Sequence, residues 1–219
     1  ITYGKNFFSE KFGFLDFKSN AYYRNYDVNK YTTFINNDLI WNPGSYITQN
    51  GFFNTIEGML TNKNYEAKNT TDLKTHGTVS ELTSVVSFKS SLPMEKNSIN
   101  YSKTFSPTFM IRYAPGQMKN RIDEDVFLNY SNLYSLNKTG EIESGLSTII
   151  GFDYKLNKKE QDTSKKERLS ISMGQIFNQK KNKDLPKKSS LDQKMSDLVG
   201  NINYNFSEIG NIGYSFSLD

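Results

Sequence analysis

Along most of the chain apolar and polar residues alternate one for one, the period of a β-strand with two unlike faces. In 12–26, Leu15, Phe17, Ala21 and Tyr23 fall in one phase, and Asp16, Lys18, Asn20, Tyr22 and Arg24 in the other. Tyr31, Ile35, Leu39 and Trp41 repeat the pattern over 30–41. Asn42-Pro43-Gly44 reads as the turn that ends it. A third strand is expected within 46–60, where alternation is poor. Residues 62–77 read as a polar loop or a hydrophilic strand extension. Leu82, Val86, Phe88 and Leu92 predict a strand over 78–92 stopped by Pro93. Tyr101, Phe105, Phe109, Ile111 and Tyr113 predict another over 99–113, in which Pro107 requires a bulge or a break.

The C-terminal part is cleaner. Leu146, Thr148, Ile150, Phe152, Tyr154 and Leu156 oppose Ser147, Ile149, Gly151, Asp153 and Lys155. Leu169, Ile171 and Met173 oppose Ser170, Ser172 and Gly174. Alternation then stumbles at Gly174-Gln175, which predicts a β-bulge there or an interfacial position for Gln175. Leu198, Ile202, Tyr204 and Phe206 and then Ile212, Tyr214, Phe216 and Leu218 form a closing hairpin, with its turn at 208–211. Residues 126–142 are ambiguous, a short aromatic stretch that reads either as a strand or as a segment folded inward rather than spanning. The sum is about nine or ten strands, successive ones antiparallel neighbours. Short connections (27–29, 42–45, 93–98, 207–211) interleave with long polar ones (62–77, 114–125, 157–167, 178–195), an up-and-down arrangement.

The same alternation serves a soluble sandwich with an apolar core and a membrane barrel with apolar residues in lipid. Two features favour the barrel. The strands run about 11–15 residues, against a globular mode of about 5–6. Aromatics (Tyr23, Tyr26, Tyr31, Trp41, Tyr113, Tyr154, Phe177, Phe206, Phe216) sit near strand ends, as in interfacial girdles. The expectation is therefore an all-β, antiparallel up-and-down transmembrane β-barrel, present as a partial barrel. Asp16, Lys18, Arg24, Asp153, Lys155, Ser170 and Ser172 would face the lumen. Leu146, Ile150, Phe152, Leu169, Ile171, Met173, Ile202, Tyr204 and Phe206 would face lipid. A porin-like channel and a soluble all-β binding module are the competing readings.

Composition narrows the chemistry. Hydrophobic content of 36% leans toward a thin core or disorder, but 14 Tyr and 16 Phe argue against disorder. With no Cys, thiolate chemistry and disulfides are excluded, and with one His, His76, a catalytic triad or His metal site is not expected. Asp123-Glu124-Asp125 lacks the spacing and glycine of an EF-hand loop. No enzyme activity, cofactor or metal is expected. The net charge of +4 is carried by scattered pairs (Lys158-Lys159, Lys165-Lys166, Lys180-Lys181, Lys187-Lys188) rather than one stripe, so no nucleic-acid partner is expected.

The stretch "LSISMGQIF" resembles a strand of the LptD family, the lipopolysaccharide-assembly (organic solvent tolerance) proteins of the outer membrane. "SPTFMIRYAP", "NLYSLNKTGEIESGLSTIIGFDYKL" and "KSSLDQKMSDLVGNINYNF" agree in order, so the resemblance covers most of 99–206. It implies one barrel domain over 1–219, an interior piece without the family's periplasmic domain or last strands. It also implies an outer-membrane location, delivery of lipopolysaccharide to the outer leaflet, a plug lipoprotein in the lumen and periplasmic bridge proteins as partners. On this resemblance the Lys pairs have contact with lipopolysaccharide phosphates as the alternative to plain solubilising charge.

Overall fold

The structure, a computed structural model, describes residues 1–26, 29–70, 77–118, 120–122, 125–159, 165–206 and 210–219. His76, Asp123, Glu124 and part of each turn at 27–29 and 208–211 lie outside the described residues. Wherever alternation is sustained, the chain is a strand: β1 (Thr2–Ser9), β2 (Gly13–Tyr26), β3 (Lys30–Asn42), β4 (Ser45–Ile47), β5 (Phe53–Lys68), β6 (Thr78–Ser91), β7 (Met94–Asn97), β8 (Tyr101–Ala114), β9 (Gly145–Lys159), β10 (Lys165–Asn178), β11 (Leu198–Asn205) and β12 (Asn211–Leu218). One antiparallel sheet results, in the order β1-β2-β3-β5-β6-β8-β9-β10-β11-β12, with β4 on β5 and β7 on β8. Among the described residues there is no α-helix, only a single 3₁₀ turn at Lys187–Ser189.

The sheet has twelve strands where nine or ten were expected, because β4 and β7 are short extra pieces beside a path of ten, and along that path one strand is exchanged for another. β1 was not anticipated, because Lys5 and the Phe7-Phe8 pair blur its alternation. Conversely, 126–144 contains no strand. The hydrophilic stretch 62–68 is strand, not loop, and completes β5.

The chain divides into two compact units, residues 1–44 with 56–86, and residues 45–55 with 87–219. In the first unit β2 and β3 pair Leu15 with Trp41, Phe17 with Leu39 and Ala21 with Ile35 on one face. Asp16, Lys18 and Arg24 lie on the other face, opposite Ile40, Asp38 and Thr32. That second face also carries Tyr22, Phe34 and Tyr65, stacked in a row across β2, β3 and β5 with ring centroids 5.0 and 6.4 Å apart. Gly13 follows the β1–β2 turn with φ 74° and lies so close to Pro43 that a Cβ would collide with it.

In the second unit the register fixes two faces. One carries Met110, Arg112, Ser147, Ile149, Gly151, Asp153, Lys155, Ser170, Ser172, Gly174, Ile176, Val199, Asn201 and Asn203. The other carries Phe105, Phe109, Ile111, Ile150, Phe152, Tyr154, Leu169, Ile171, Met173, Ile202, Tyr204 and Tyr214. Their burial is inverted relative to a water-soluble sheet. Ile149 on the mostly polar face is 0% exposed, while its neighbour Ile150 is 52% exposed. The core of this unit therefore sits on the polar phase. There Met110, Ile149, Ile176 and Val199 are buried, together with Leu128, Leu133, Leu136 and Leu185 from the connections 115–144 and 179–197.

Two expected irregularities resolve elsewhere than their own strands. β8 runs unbroken through Pro107, which pairs in register with Phe152. The break is in the neighbouring line at Leu92-Pro93, between β6 and β7, where the Leu92 N–H donates to the Pro107 carbonyl. The bulge expected at Gly174-Gln175 is corrected. Gly174 pairs with Gly151 and Gln175 with Ile150 in regular register, and the shift between β9 and β10 falls at Glu167/Leu169 instead. On the other edge, Gly174 pairs with Val199 and Phe177 bridges Met195, so residues 196–198 face 175–176 and the extra residue precedes β11. The Gln175 amide donates to the Ser196 carbonyl at 2.6 Å, so this lone amide on the apolar face is satisfied within the protein.

Candidate functional site

The strand ends Tyr101, Lys159, Lys165, Asn205 and Asn211 lie at one end of the second unit, and Ala114, Gly145, Asn178 and Leu198 lie at the other, where the long connections 115–144 and 179–197 leave the sheet. The two long connections fold back over the polar face. They are tied to each other by the Arg121 N–H donating to the Asp184 carbonyl (2.7 Å) and by Lys188 Nζ on Asp125 Oδ1 (2.9 Å). Three features seat 126–144 on the strands.

The first is a hollow. Gly151 and Gly174 face each other across β9 and β10 on the polar phase. A Cβ on Gly174 would stand 2.6 Å from Leu133 Cδ2 and 2.8 Å from the Ile150 carbonyl, and one on Gly151 would collide with the Tyr134 hydroxyl. The glycines are there because loop side chains occupy the space that their own side chains would take.

The second is the carboxylate of Asp153. Its Oδ1 accepts hydrogen bonds from the Tyr130 hydroxyl (2.8 Å) and the Ser172 hydroxyl (2.5 Å). Burial, and then Asp153, hold the Tyr130 hydroxyl well above the usual phenol range, so it stays a donor. Tyr134 packs edge-on against Tyr130 and is raised by the same two causes.

The third is Arg112, 2% exposed at the end of β8. Its Nε and Nη2 donate to the Leu136 carbonyl (2.8 and 2.6 Å), and its Nη1 donates to the Glu143 carbonyl (2.8 Å). Nη2 also lies 2.9 Å from Glu143 Oε2. That oxygen receives no directed hydrogen bond, so the contact is an ion pair, while Oε1 accepts from the Thr139 N–H (2.6 Å). Lys138 is buried beside this pair, and its Nζ donates to the Ser135 carbonyl (3.0 Å). Burial first, then the Arg112 charge, lower the Lys138 ammonium to about 7 from its ordinary 10.5, with Glu143 opposing.

Between these groups and the connection 179–197 lies a cavity of about 370 Å³. Arg112, Lys138, Glu143, Ser147, Lys180 and Lys181 are among its lining residues.

Asp153, Lys155, Ser170 and Ser172 come together as cross-strand neighbours on the polar face, Ser172 opposite Asp153 and Ser170 opposite Lys155. Asp16, Lys18 and Arg24 share a face in the other unit. Leu146, Ile150, Phe152, Leu169, Ile171, Met173, Ile202 and Tyr204 occupy the apolar face, and the Phe206 ring continues it beside Tyr204 at 6.5 Å. Sequence reasoning missed Arg112, Tyr130, Leu133, Tyr134, Lys138 and Glu143. For Arg112 a signal existed: a lone cation in the same phase as Met110 and Ala114. The paired glycines were a second signal, since two glycines meeting across a ladder leave room for something else.

An all-β antiparallel up-and-down sheet with a bare apolar face, and a polar face filled by its own connections, is consistent with part of a β-barrel. The chain belongs to the LptD family: the family's sequence model, LPS transport system D, matches residues 7–219. The family acts in lipopolysaccharide transport and assembly and is an outer-membrane family of Gram-negative bacteria. A comparison with curated proteins gave no match.

Proposed function

We propose that this chain is the wall of an outer-membrane β-barrel that delivers lipopolysaccharide to the outer leaflet. The observation that carries the reading is the inversion of the sheet. In water, a face bearing Phe109, Ile111, Ile150, Tyr204 and Tyr214, all more than a third exposed, would be a large apolar patch. In lipid it is the expected outer surface of a barrel strand, whose backbone groups are all used in the ladder. The nine residues from Leu146 to Phe206 named above then meet acyl chains. Asp153, Lys155, Ser170 and Ser172 turn toward the lumen side, Asp153 and Ser172 beneath the segment 126–144, as do Asp16, Lys18 and Arg24. Residues 1–219 belong to one barrel domain.

Mechanistically, the amphiphile is partitioned by the two faces: its sugar head travels on the polar side and its acyl chains on the apolar side or along a seam in the wall. The protein supplies surface rather than bond chemistry. A lipoprotein plugging the lumen and periplasmic bridge proteins feeding the barrel complete the machine. Depletion of the full-length protein tests the reading. Loss of surface lipopolysaccharide, with retention in the periplasm, is the expected result. Unchanged surface lipopolysaccharide contradicts it and leaves a porin-like channel; extraction of the protein into buffer without detergent contradicts both barrels.

A further inference from the structure

We propose that the cavity at the loop end of β8, β9 and β10 binds a phosphate group carried on a small organic body, a phosphorylated sugar. The argument is one of charge and size. Arg112 and Lys138 are both buried beside a single buried carboxylate, Glu143. That carboxylate is fully committed, with Oε2 to the Arg112 guanidinium and Oε1 to the Thr139 N–H. The cluster therefore holds one more basic group than acidic groups in a place where water screens poorly, and Lys138 is fully charged there near neutral pH only when an anion joins it. Such a charge is costly unless it is neutralised. Lys180 and Lys181 add two exposed ammonium groups at the rim of the same cavity, and among the described residues no second carboxylate lines it.

The two rim ammonium groups, joined by Lys138 when a bound anion recharges it, suit a dianion better than a single carboxylate. Lysines bind phosphate as point charges without fixed orientation. Ser144 and Ser147 supply hydroxyls on the cavity wall. The volume, about 370 Å³, is roughly twelve times the share of one liquid water and sits at the lower end of the range for organic ligands. A bare ion would leave most of it empty; a phosphate on one sugar ring would not.

The ligand has two possible sources, a free sugar phosphate or the phosphorylated sugar head of a glycolipid. The second rests on the delivery role proposed above; the site itself does not. The test uses the full protein in detergent micelles, with calorimetric titration of glucose 1-phosphate, of glucose, and of monophosphoryl lipid A in mixed micelles. Glucose 1-phosphate is expected to bind saturably and at least tenfold more tightly than glucose. Replacing the rim lysines together (K180Q with K181Q) is expected to weaken it at least tenfold without moving the melting temperature. Lys138→Met is expected to weaken it similarly and serves as the second variant wherever its melting curve is cooperative.

Saturable binding of the lipid probe alone, lost in the same variants, upholds the site with a glycolipid head as its source. Equal binding of glucose, no saturable binding of either phosphorylated probe, or unchanged binding in the rim variant overturns the proposal. Surface lipopolysaccharide after depletion is read separately. Absent binding with normal delivery discards the cavity alone, and the reverse combination discards the delivery role alone.

Discussion

The two compact units have the same alternation and the same strand chemistry, yet they treat their polar faces differently. In the first unit Asp16, Lys18, Tyr22 and Arg24 on β2 stand half-buried or exposed, while Thr32, Thr61, Tyr65 and Ala67 on the same face of β3 and β5 are buried; the Arg24 guanidinium lies 4.6 Å above the Tyr22 ring, and Thr61 and Asn36 donate to Asp38. In the second unit two long connections return over the polar face, and side chains there become a dry core. The difference teaches that the polar phase of such a strand encodes two things. Isolated charges such as Lys18 and Arg24 mark positions left to water. Glycines and aliphatics inserted into the same phase (Gly151, Gly174, Met110, Ile149, Ile176) mark a face that receives another segment.

The comparison breaks most readily at Arg112. Arg112→Met removes three hydrogen-bonding nitrogens and strands the Glu143 carboxylate in a buried site, a loss of about 3–5 kcal/mol for the seating of 126–144. Hydrogen exchange of amides in that segment is expected to rise by at least a hundredfold, while β2 and β3 stay unchanged. Tyr130→Phe removes one donor to the Asp153 carboxylate and leaves the Ser172 donor in place. An effect of about 1.5–3 kcal/mol on the same segment is expected, the range for a hydrogen bond to a charged group.

Gly174→Ala sharpens the reading of the hollow. The new methyl meets Leu133, which can move, and the Ile150 carbonyl and Gly151 backbone, which cannot move easily. A cost of about 1–3 kcal/mol is expected, partly relieved when Leu133→Ala is added. The melting temperatures of the two single variants and the double variant check this.

Lys138 gives the comparison a pH signature. Its folded value, about 7, lies below the ordinary 10.5. Between those limits the unfolded chain holds a proton that the folded protein does not, so stability contributed by this group rises with pH across the window. The slope approaches ~1.4 kcal/mol per pH unit in mid-window, and below pH 7 the group contributes no further change. Melting curves of the parent protein between pH 7 and 10 should climb relative to Lys138→Met, whose curve lacks this component. The smallest effect belongs to the first unit: Lys18→Gln is expected to change stability by no more than about 0.5 kcal/mol, as for an exposed charge outside any buried network.

Most strands were legible because each needs only local alternation, and both faces of β9, β10 and β11 follow from phase alone. What escaped was non-local. The irregularity felt at Gly174-Gln175 originates in the residues before β11, and the one felt at Pro107 in the neighbouring line at Pro93. A sequence shows the strand that suffers the mismatch, not the neighbour that absorbs it. The clasp on Arg112 was illegible for a related reason. All three of its hydrogen bonds end on backbone carbonyls, of Leu136 and Glu143, which carry no side-chain signature.

The central claim is that the apolar phase of β9 and β10 lies against lipid and the polar phase does not. Introducing single cysteines at Ile150, Phe152, Ile171 and Met173, and at Asp153 and Ser172, allows a bimane label at each in the full protein. Reconstitution into bilayers containing brominated phospholipid tests them together. Strong quenching at the first four positions and little at the last two is the predicted result. Equal quenching at all six, or the opposite alternation, would contradict the account.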